Sequence, residues 1–86
     1  MVRDIKRGQT GKELLGELEE LIPGGVLHRG RPPEEIRAVF ARGKGSRIWD
    51  VDGNEYIDYV LGSGPMLFGH AHPAVTRAIH ERVEQG

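Results

Sequence analysis

Residues 43–59 read GKGSRIWDVDGNEYIDY, and this stretch decides the fold of the chain. Two short runs rich in β-branched and aromatic residues, 47–51 and 55–59, flank the pair Asp52-Gly53. An Asp-Gly pair between such runs favours a tight hairpin turn, because Gly and Asp tolerate the positive φ that primed turns need. The stretch therefore predicts a β-hairpin of two antiparallel strands.

The segment before the hairpin predicts a helix over residues 10–22, which follows a flexible arm over residues 1–9. Thr10 and Glu13 have the spacing of a capping box, in which two side chains satisfy backbone N–H groups at a helix start. Pro23-Gly24-Gly25 ends the helix. Its apolar residues fall on one face that we expect to dock on a core, and they are Leu14, Leu15, Leu18, Leu21 and Ile22.

A small antiparallel sheet of three strands is predicted over residues 36–59, with its first strand over 36–42. Side chains alternate between the two faces of a strand. We therefore expect Phe40 and Arg42 on the same face of the first strand, together with Ala38. In the last strand one face carries Tyr56 and Asp58, and the other carries Ile57 and Tyr59.

A glycine-rich loop over residues 61–72 follows the sheet and leads into a helix over residues 73–85. Pro73 suits the first turn of a helix, where a backbone N–H has no partner within the helix. His70 and His72 could offer two imidazoles to a metal, but no third ligand has suitable spacing. Local hydrogen bonding or helix capping is therefore the favoured role of both histidines.

Composition excludes several classes of function. The chain has 86 residues, a net charge of −1 and no cysteine. It is at most one small domain with a thin core, and it has neither disulfides nor thiolate metal sites. The charge gives no basis for binding nucleic acid, and no apolar run reaches the length of a membrane span. We expect a cytoplasmic chain that is marginally stable alone.

A calcium loop is the first alternative that Asp50-Val51-Asp52-Gly53-Asn54 suggests. That loop needs Gly at its sixth position and Glu at its twelfth. Here Gly is fourth and the twelfth residue is Leu61. The motif therefore predicts no metal site.

Residues 43–75 resemble the N-terminal segment of class III, pyridoxal-phosphate-dependent aminotransferases, nearest to the glutamate-1-semialdehyde aminomutase branch. The matching pieces are the WDVDGNEYIDY hairpin, the GSGPM loop and the GHAHPAV helix entry, and PGGV at 23–26 also resembles that branch. The resemblance implies an α+β fragment (helix, three-stranded antiparallel sheet, helix) of a fold-type-I PLP-dependent α/β transferase. The large PLP-binding domain is absent from residues 10–86.

The resemblance also implies a function for the full-length parent, which would be a homodimer with pyridoxal 5'-phosphate as its cofactor. The parent would move an amino group between an amino acid or amine and a keto acid, or within one molecule as an aminomutase does. Four residues would lie on the substrate side: His28, Arg31, Ser63 and Gly64. Arg31 matches the arginine that holds the substrate carboxylate. Ser63 replaces a tryptophan of the aminomutase pattern, which favours another amino donor or acceptor.

The chemistry of the family needs a lysine that forms a Schiff base with the cofactor. The chain has Lys6, Lys12 and Lys44, and none of them matches the family's lysine. We therefore expect no catalytic, cofactor-binding or metal-binding residue here, and no activity from the chain alone. The alternative interpretation is a small non-enzymatic interaction module derived from such an enzyme.

Overall fold

Two helices flank a three-stranded antiparallel sheet in a computed structural model, which describes residues 8–25 and 32–86. The strands lie in the order β1-β2-β3, so the predicted α+β architecture is confirmed. In these two ranges no helix is long and apolar enough to cross a bilayer. The elements are α1 (Gln9–Leu21), β1 (Phe40–Lys44), β2 (Arg47–Asp50), β3 (Glu55–Ile57) and α2 (Pro73–Val83).

The predicted hairpin forms between β2 and β3. Arg47 lies opposite Ile57, and Trp49 lies opposite Glu55. The Arg47 guanidinium also makes an ion pair with the Glu55 carboxylate across the two strands. Exposed ion pairs of this kind contribute little to stability, so the ladder of backbone hydrogen bonds defines the register.

The turn at the hairpin tip is longer than the two-residue primed turn that we predicted, and that prediction is wrong. A type I′ turn needs positive φ at both central residues, but of Asp52 and Gly53 only Gly53 has it, at 86°. The Gly53 N–H donates to the Asp50 carbonyl, and the Asp50 N–H donates to the Asn54 carbonyl, each at 3.1 Å. The Asp50 carboxylate stabilises this wider turn, because it accepts the backbone N–H groups of Asp52 and Asn54.

The first strand begins later than predicted. Glu34–Ile36 forms a 3₁₀ turn and β1 starts only at Phe40, so the strand start at residue 36 is wrong. The Arg37 guanidinium donates to the Glu19 carboxylate of α1 at 2.5 Å. This contact joins the segment before β1 to α1, while the Val39 carbonyl still accepts the Val51 N–H directly after β2, at 2.9 Å.

A β-bulge interrupts β1 and overturns the alternation that we predicted for it. Phe40 pairs with Asp50, whereas Arg42 pairs with Trp49, so one extra residue lies between them. The Phe40 ring packs edge-on against the Tyr56 ring, with the two ring centroids 5.6 Å apart. The Arg42 guanidinium instead lies 3.7 Å from the centre of the Trp49 ring. Phe40 and Arg42 therefore lie on opposite faces of the sheet.

Helix α1 starts without a capping box, so the prediction of one at Thr10 and Glu13 is wrong. Gly8 occupies the N-cap position and has no side chain that could cap the helix. The N–H of Gly11 instead donates to Oδ1 of Asp52 at 3.0 Å, across 41 residues of sequence. A Cβ at Gly8 or Gly11 would collide with that carboxylate, so both glycines permit the approach. A carboxylate at this end of a helix is also favoured by the helix dipole.

Helix α2 starts at Pro73, as predicted. The Nδ1 atom of His72 accepts the Ala74 N–H at 3.3 Å, which confirms the expected capping role of this histidine. The Thr76 hydroxyl donates to the His72 carbonyl at 3.0 Å. Every residue from Pro73 to Gly86 is exposed, so the apolar stripe of α2 is uncovered.

The described part of the chain buries polar side chains and leaves apolar ones exposed. Arg37 is 5% exposed and Asp50 is 4% exposed, and no apolar side chain within residues 8–25 and 32–86 is buried to that degree. The leucine stripe of α1 is half-buried at Leu14, Leu15 and Leu18. Hydrogen bonds and ion pairs, more than an apolar core, therefore hold these elements together.

Candidate functional site

The loop between β3 and α2, residues 58–72 and here called the exit loop, contains two of the predicted site residues. One side-chain contact joins its ends, since Nε2 of His70 lies 2.6 Å from Oδ2 of Asp58. The two side chains are 21% and 13% exposed. Because an ionised carboxylate only accepts hydrogen bonds, Nε2 of His70 carries the hydrogen in this contact.

The same carboxylate also shapes the first turn of the exit loop. Oδ1 of Asp58 accepts the N–H groups of Val60 and Leu61, at 2.9 and 3.0 Å. The hydrogen bond from Leu61 and then the one from His70 are the main causes that hold the pKa of Asp58 below its usual range. Asp58 is therefore charged at neutral pH and forms bonds at both ends of the loop.

His70 is held on the sheet by its backbone as well as by its ring. It exchanges two backbone hydrogen bonds with Gly45, at 2.9 and 2.8 Å, in the turn between β1 and β2. Its ring lies against Gly43, where a Cβ would come within 2.6 Å of the ring carbon Cγ. These contacts confirm a local hydrogen-bonding role for His70 and attach the end of the exit loop to the sheet.

The middle of the exit loop has a left-handed backbone over four consecutive residues. The φ angles are 46° at Leu61, 69° at Gly62, 64° at Ser63 and 121° at Gly64. Leu61 and Ser63 are strained there, because side chains with a Cβ rarely adopt this region. Strained backbone is enriched at binding sites, and the exposed Ser63 and Gly64 lie at this position.

The other two predicted substrate-side residues, His28 and Arg31, lie outside the described residues. The structure therefore places Ser63 and Gly64 in one exposed loop and gives no geometry for the other pair. The nearest described residues before and after them are Gly25 and Pro32. A Cβ at Gly25 would lie 2.9 Å from Nη2 of Arg37, so Gly25 itself lies against the ion pair between Arg37 and Glu19 of α1.

Sequence reasoning missed the residue that organises the hairpin tip, Asp50. Its Oδ2 atom accepts hydrogen bonds from the Asn54 side-chain amide at 2.8 Å and from the Tyr56 hydroxyl at 2.7 Å. Burial favours a higher pKa for Asp50, but the hydrogen bonds from Asn54 and Tyr56 outweigh it and lower the pKa. The Asp-x-Asp-Gly-Asn spacing was a usable signal, since Asp and Asn readily bond to backbone groups two residues on.

The described residues do not fit an anchoring site for PLP. The cofactor needs a lysine in a desolvated setting, whereas Lys12 in α1 and Lys44 in β1 are both exposed. Over the same described ranges, no group of three or more His, Cys, Asp or Glu residues could hold a metal ion.

Comparison with known proteins identifies the family. The family model for class III aminotransferases matches residues 30–86. The glutamate-1-semialdehyde 2,1-aminomutase of Desulforamulus reducens is 43% identical over 84 residues, which are 91% of this chain and 19% of that relative. Solved structures also resemble the chain, among them two transaminases.

An omega-transaminase from Sphaerobacter thermophilus has a TM-score of 0.82 at 27% identity, over 94% of this chain and 18% of its own. A transaminase with PLP bound has a TM-score of 0.83 at 30% identity, over 95% of this chain and 19% of its own. The chain spans only 16–19% of the length of the curated relatives it matches. The resemblance found in the sequence is thus confirmed, and the chain belongs to the class III aminotransferase family.

Proposed function

We propose that this chain forms the substrate-side segment of a PLP-dependent class III aminotransferase. The observation that carries the proposal is the family match over residues 30–86. The parent enzyme would transfer an amino group between an amino acid or amine and a keto acid, or within one molecule as an aminomutase. The similarity to both an aminomutase and an omega-transaminase supports the amino-transfer class without selecting one of the two.

The chain would contribute binding groups and no reacting groups. PLP, when bound, acts as an electron sink for the carbon that carries the amino group. No step of that chemistry is assigned to the described residues, because neither Lys12 nor Lys44 is buried. Ser63 and Gly64 would face the substrate from the exit loop, and Arg31 would hold a substrate carboxylate by a charge-assisted hydrogen bond. His28 would lie beside them.

Exposed apolar side chains support a role in contacts with the rest of the enzyme and with a second subunit. Tyr59 is 89% exposed and Leu67 is 86% exposed, and Val60, Phe68 and Ile57 are also largely exposed. So many large apolar side chains exposed within residues 57–68 support a contact surface there. Together with the family, it supports the proposed homodimer. A cytoplasmic location completes the proposal and rests on the family alone.

Activity of the full polypeptide that contains this segment tests the proposal. We expect PLP-dependent amino transfer, with a keto product if the enzyme is a transaminase and an isomer without a second substrate if it is an aminomutase. The 86-residue chain assayed alone should transfer nothing. A full polypeptide that binds no PLP and transfers no amino group would contradict the proposal and favour the interaction-module alternative.

Arg31→Ala in the full polypeptide tests the substrate-side role. Loss of a charge-assisted hydrogen bond costs about 1.5–3 kcal/mol, so KM for carboxylate substrates should rise. An amine donor without a carboxylate should be affected less. Arg29→Ala is the matched control in the same segment. Equal effects on both donor types would show that Arg31 does not hold the carboxylate.

A further inference from the structure

We propose that the contact between Asp58 and His70 positions the exit loop, so that loss of either side chain releases Ser63 and Gly64 from their substrate-side geometry. This inference rests on the proposed function. Asp58 and His70 would be positioning residues, since they act on the substrate through the loop.

The exit loop has little apolar packing of its own to hold its shape. Four of its apolar side chains, Tyr59, Val60, Leu67 and Phe68, are largely exposed, and only Leu61 and Met66 are half-buried. The loop also contains Gly62, Gly64 and Gly69, and glycine loses more conformational freedom on ordering than any other residue. Polar contacts at the ends of the loop must therefore offset much of the cost of ordering it.

The carboxylate of Asp58 makes such polar contacts at both ends of the loop. Oδ1 accepts the N–H groups of Val60 and Leu61 directly before the strained residues, and Oδ2 contacts His70 at the far end of the loop. His70 is bonded through its backbone to Gly45 of the sheet. The Asp58 side chain thus sets the conformation of the first turn of the loop and connects that turn to His70, which is bonded to the sheet.

Gly43 provides independent support, because it leaves space for the ring of His70. A Cβ at Gly43 would lie 2.6 Å from Cγ and 2.7 Å from Nδ1 of His70. Gly43→Ala should therefore push the ring away from Asp58 while leaving both side chains of the contact present.

Four variants of the full polypeptide test the inference. Asp58→Ala and His70→Phe remove the contact, and Gly43→Ala displaces it. His70→Gln is the conservative variant, because the Gln amide nitrogen can reach the position of Nε2 and donate. Glu81→Gln on the exposed face of α2 is the matched control for loss of a carboxylate.

Hydrogen exchange at the amides of Val60, Leu61 and Ser63 gives a measurement that needs no catalysis. Exchange should become at least about tenfold faster in Asp58→Ala and His70→Phe, as expected for loss of a charge-assisted bond. His70→Gln should restore most of the protection. Glu81→Gln should leave exchange unchanged.

Kinetics separates positioning from simple stabilisation. Loss of positioning should raise KM for the amino donor about tenfold and leave kcat of the folded enzyme within about twofold, because the groups that do the chemistry lie elsewhere. His70→Gln should recover the wild-type KM. Amino transfer in every variant is normalised to the amount of folded protein.

Two results would overturn the inference. Unchanged exchange in Asp58→Ala and His70→Phe would show that the contact does not order the loop. Faster exchange with unchanged KM would show that the loop is ordered by the contact but does not position substrate. If the wild-type polypeptide transfers no amino group, the proposed function fails, and the exchange measurement alone then decides whether the contact orders the loop.

Discussion

The hairpin tip and helix α2 differ in whether their side chains have partners within the described chain. At the tip, Asp50 is 4% exposed and its carboxylate accepts hydrogen bonds from Asp52, Asn54 and Tyr56. Along α2 every residue is exposed, including the apolar ones. The tip contains the partners that it needs, whereas α2 presents an apolar stripe that only another surface can cover. A segment can thus be well defined locally and still depend on the rest of its protein.

The largest effect should be seen when the 86-residue chain is studied alone. Isolated helices of 12–15 residues or fewer are marginal in water, and α2 has 11. We expect no cooperative thermal transition by circular dichroism and rapid amide exchange throughout α2. A cooperative melt of a monomer with slowly exchanging amides in both β2 and α2 would remove the contrast between the two regions.

Removing the hydrogen-bond acceptor at the tip should have the next largest effect. Asp50→Ala leaves several donors without their partner, and each buried loss costs about 1–3 kcal/mol. In the full polypeptide, the free energy of opening β2 and β3 should fall by at least about 3 kcal/mol, measured by exchange at Ile48 and Tyr56.

The matched control for that variant is Asp52→Ala. It removes the cap of α1 and should cost only about 1 kcal/mol. Equal effects of the Asp50 and Asp52 variants would show that Asp50 is not the residue that organises the turn.

Acid should loosen the hairpin tip and the exit loop before it affects α2. The pKa values of Asp50 and Asp58 are lowered in the folded chain. Their contribution to stability is therefore complete above the unfolded value of about 3.9 and is lost as the pH falls through the lower folded values. Amide exchange in the full polypeptide between pH 5 and pH 2, corrected for the intrinsic pH dependence, measures this. Asp58→Asn should abolish the effect in the exit loop and leave it at the tip.

Substitutions on the exposed stripe of α2 should have the smallest effect on the 86-residue chain. Ile79→Ser should change its helix content little, since exposed substitutions usually stay within about 0.5 kcal/mol. In the full polypeptide the same change should lower the melting temperature, because a buried isoleucine contributes about 1.5–3 kcal/mol. Thr76→Ser is the control. If Ile79→Ser had as little effect in the full polypeptide as in the 86-residue chain, nothing would cover α2.

Local signals in the sequence predicted the parts of the fold that depend on neighbouring residues. The hairpin followed from Asp52-Gly53, and the start of α2 followed from Pro73. The sequence did not predict that Arg37 contacts Glu19 of α1 before β1 begins, nor the bulge between Phe40 and Arg42, because both involve contacts between residues that are distant in sequence. The capping box failed for a similar reason, since a distant carboxylate bonds to the start of α1.

The candidate site was predicted only in part. Ser63 came from the family pattern and lies in a strained, exposed loop. The pairing of Asp58 with His70 needed the fold, because the two residues are 12 positions apart and the loop between them returns to the sheet, where His70 pairs with Gly45. The roles of His28 and Arg31 stay predictions.

The bond from Gly11 to Asp52 has a consequence for how the protein is made. The ribosome adds about 5–20 residues per second, so Asp52 follows Gly11 by roughly 2–8 s, because the two residues are 41 positions apart. All residues of α1 are therefore synthesised before the carboxylate that caps the helix. The N-terminal end of α1 can be fixed by this bond only after the hairpin tip has been synthesised, so the nascent helix lacks its cap during that interval.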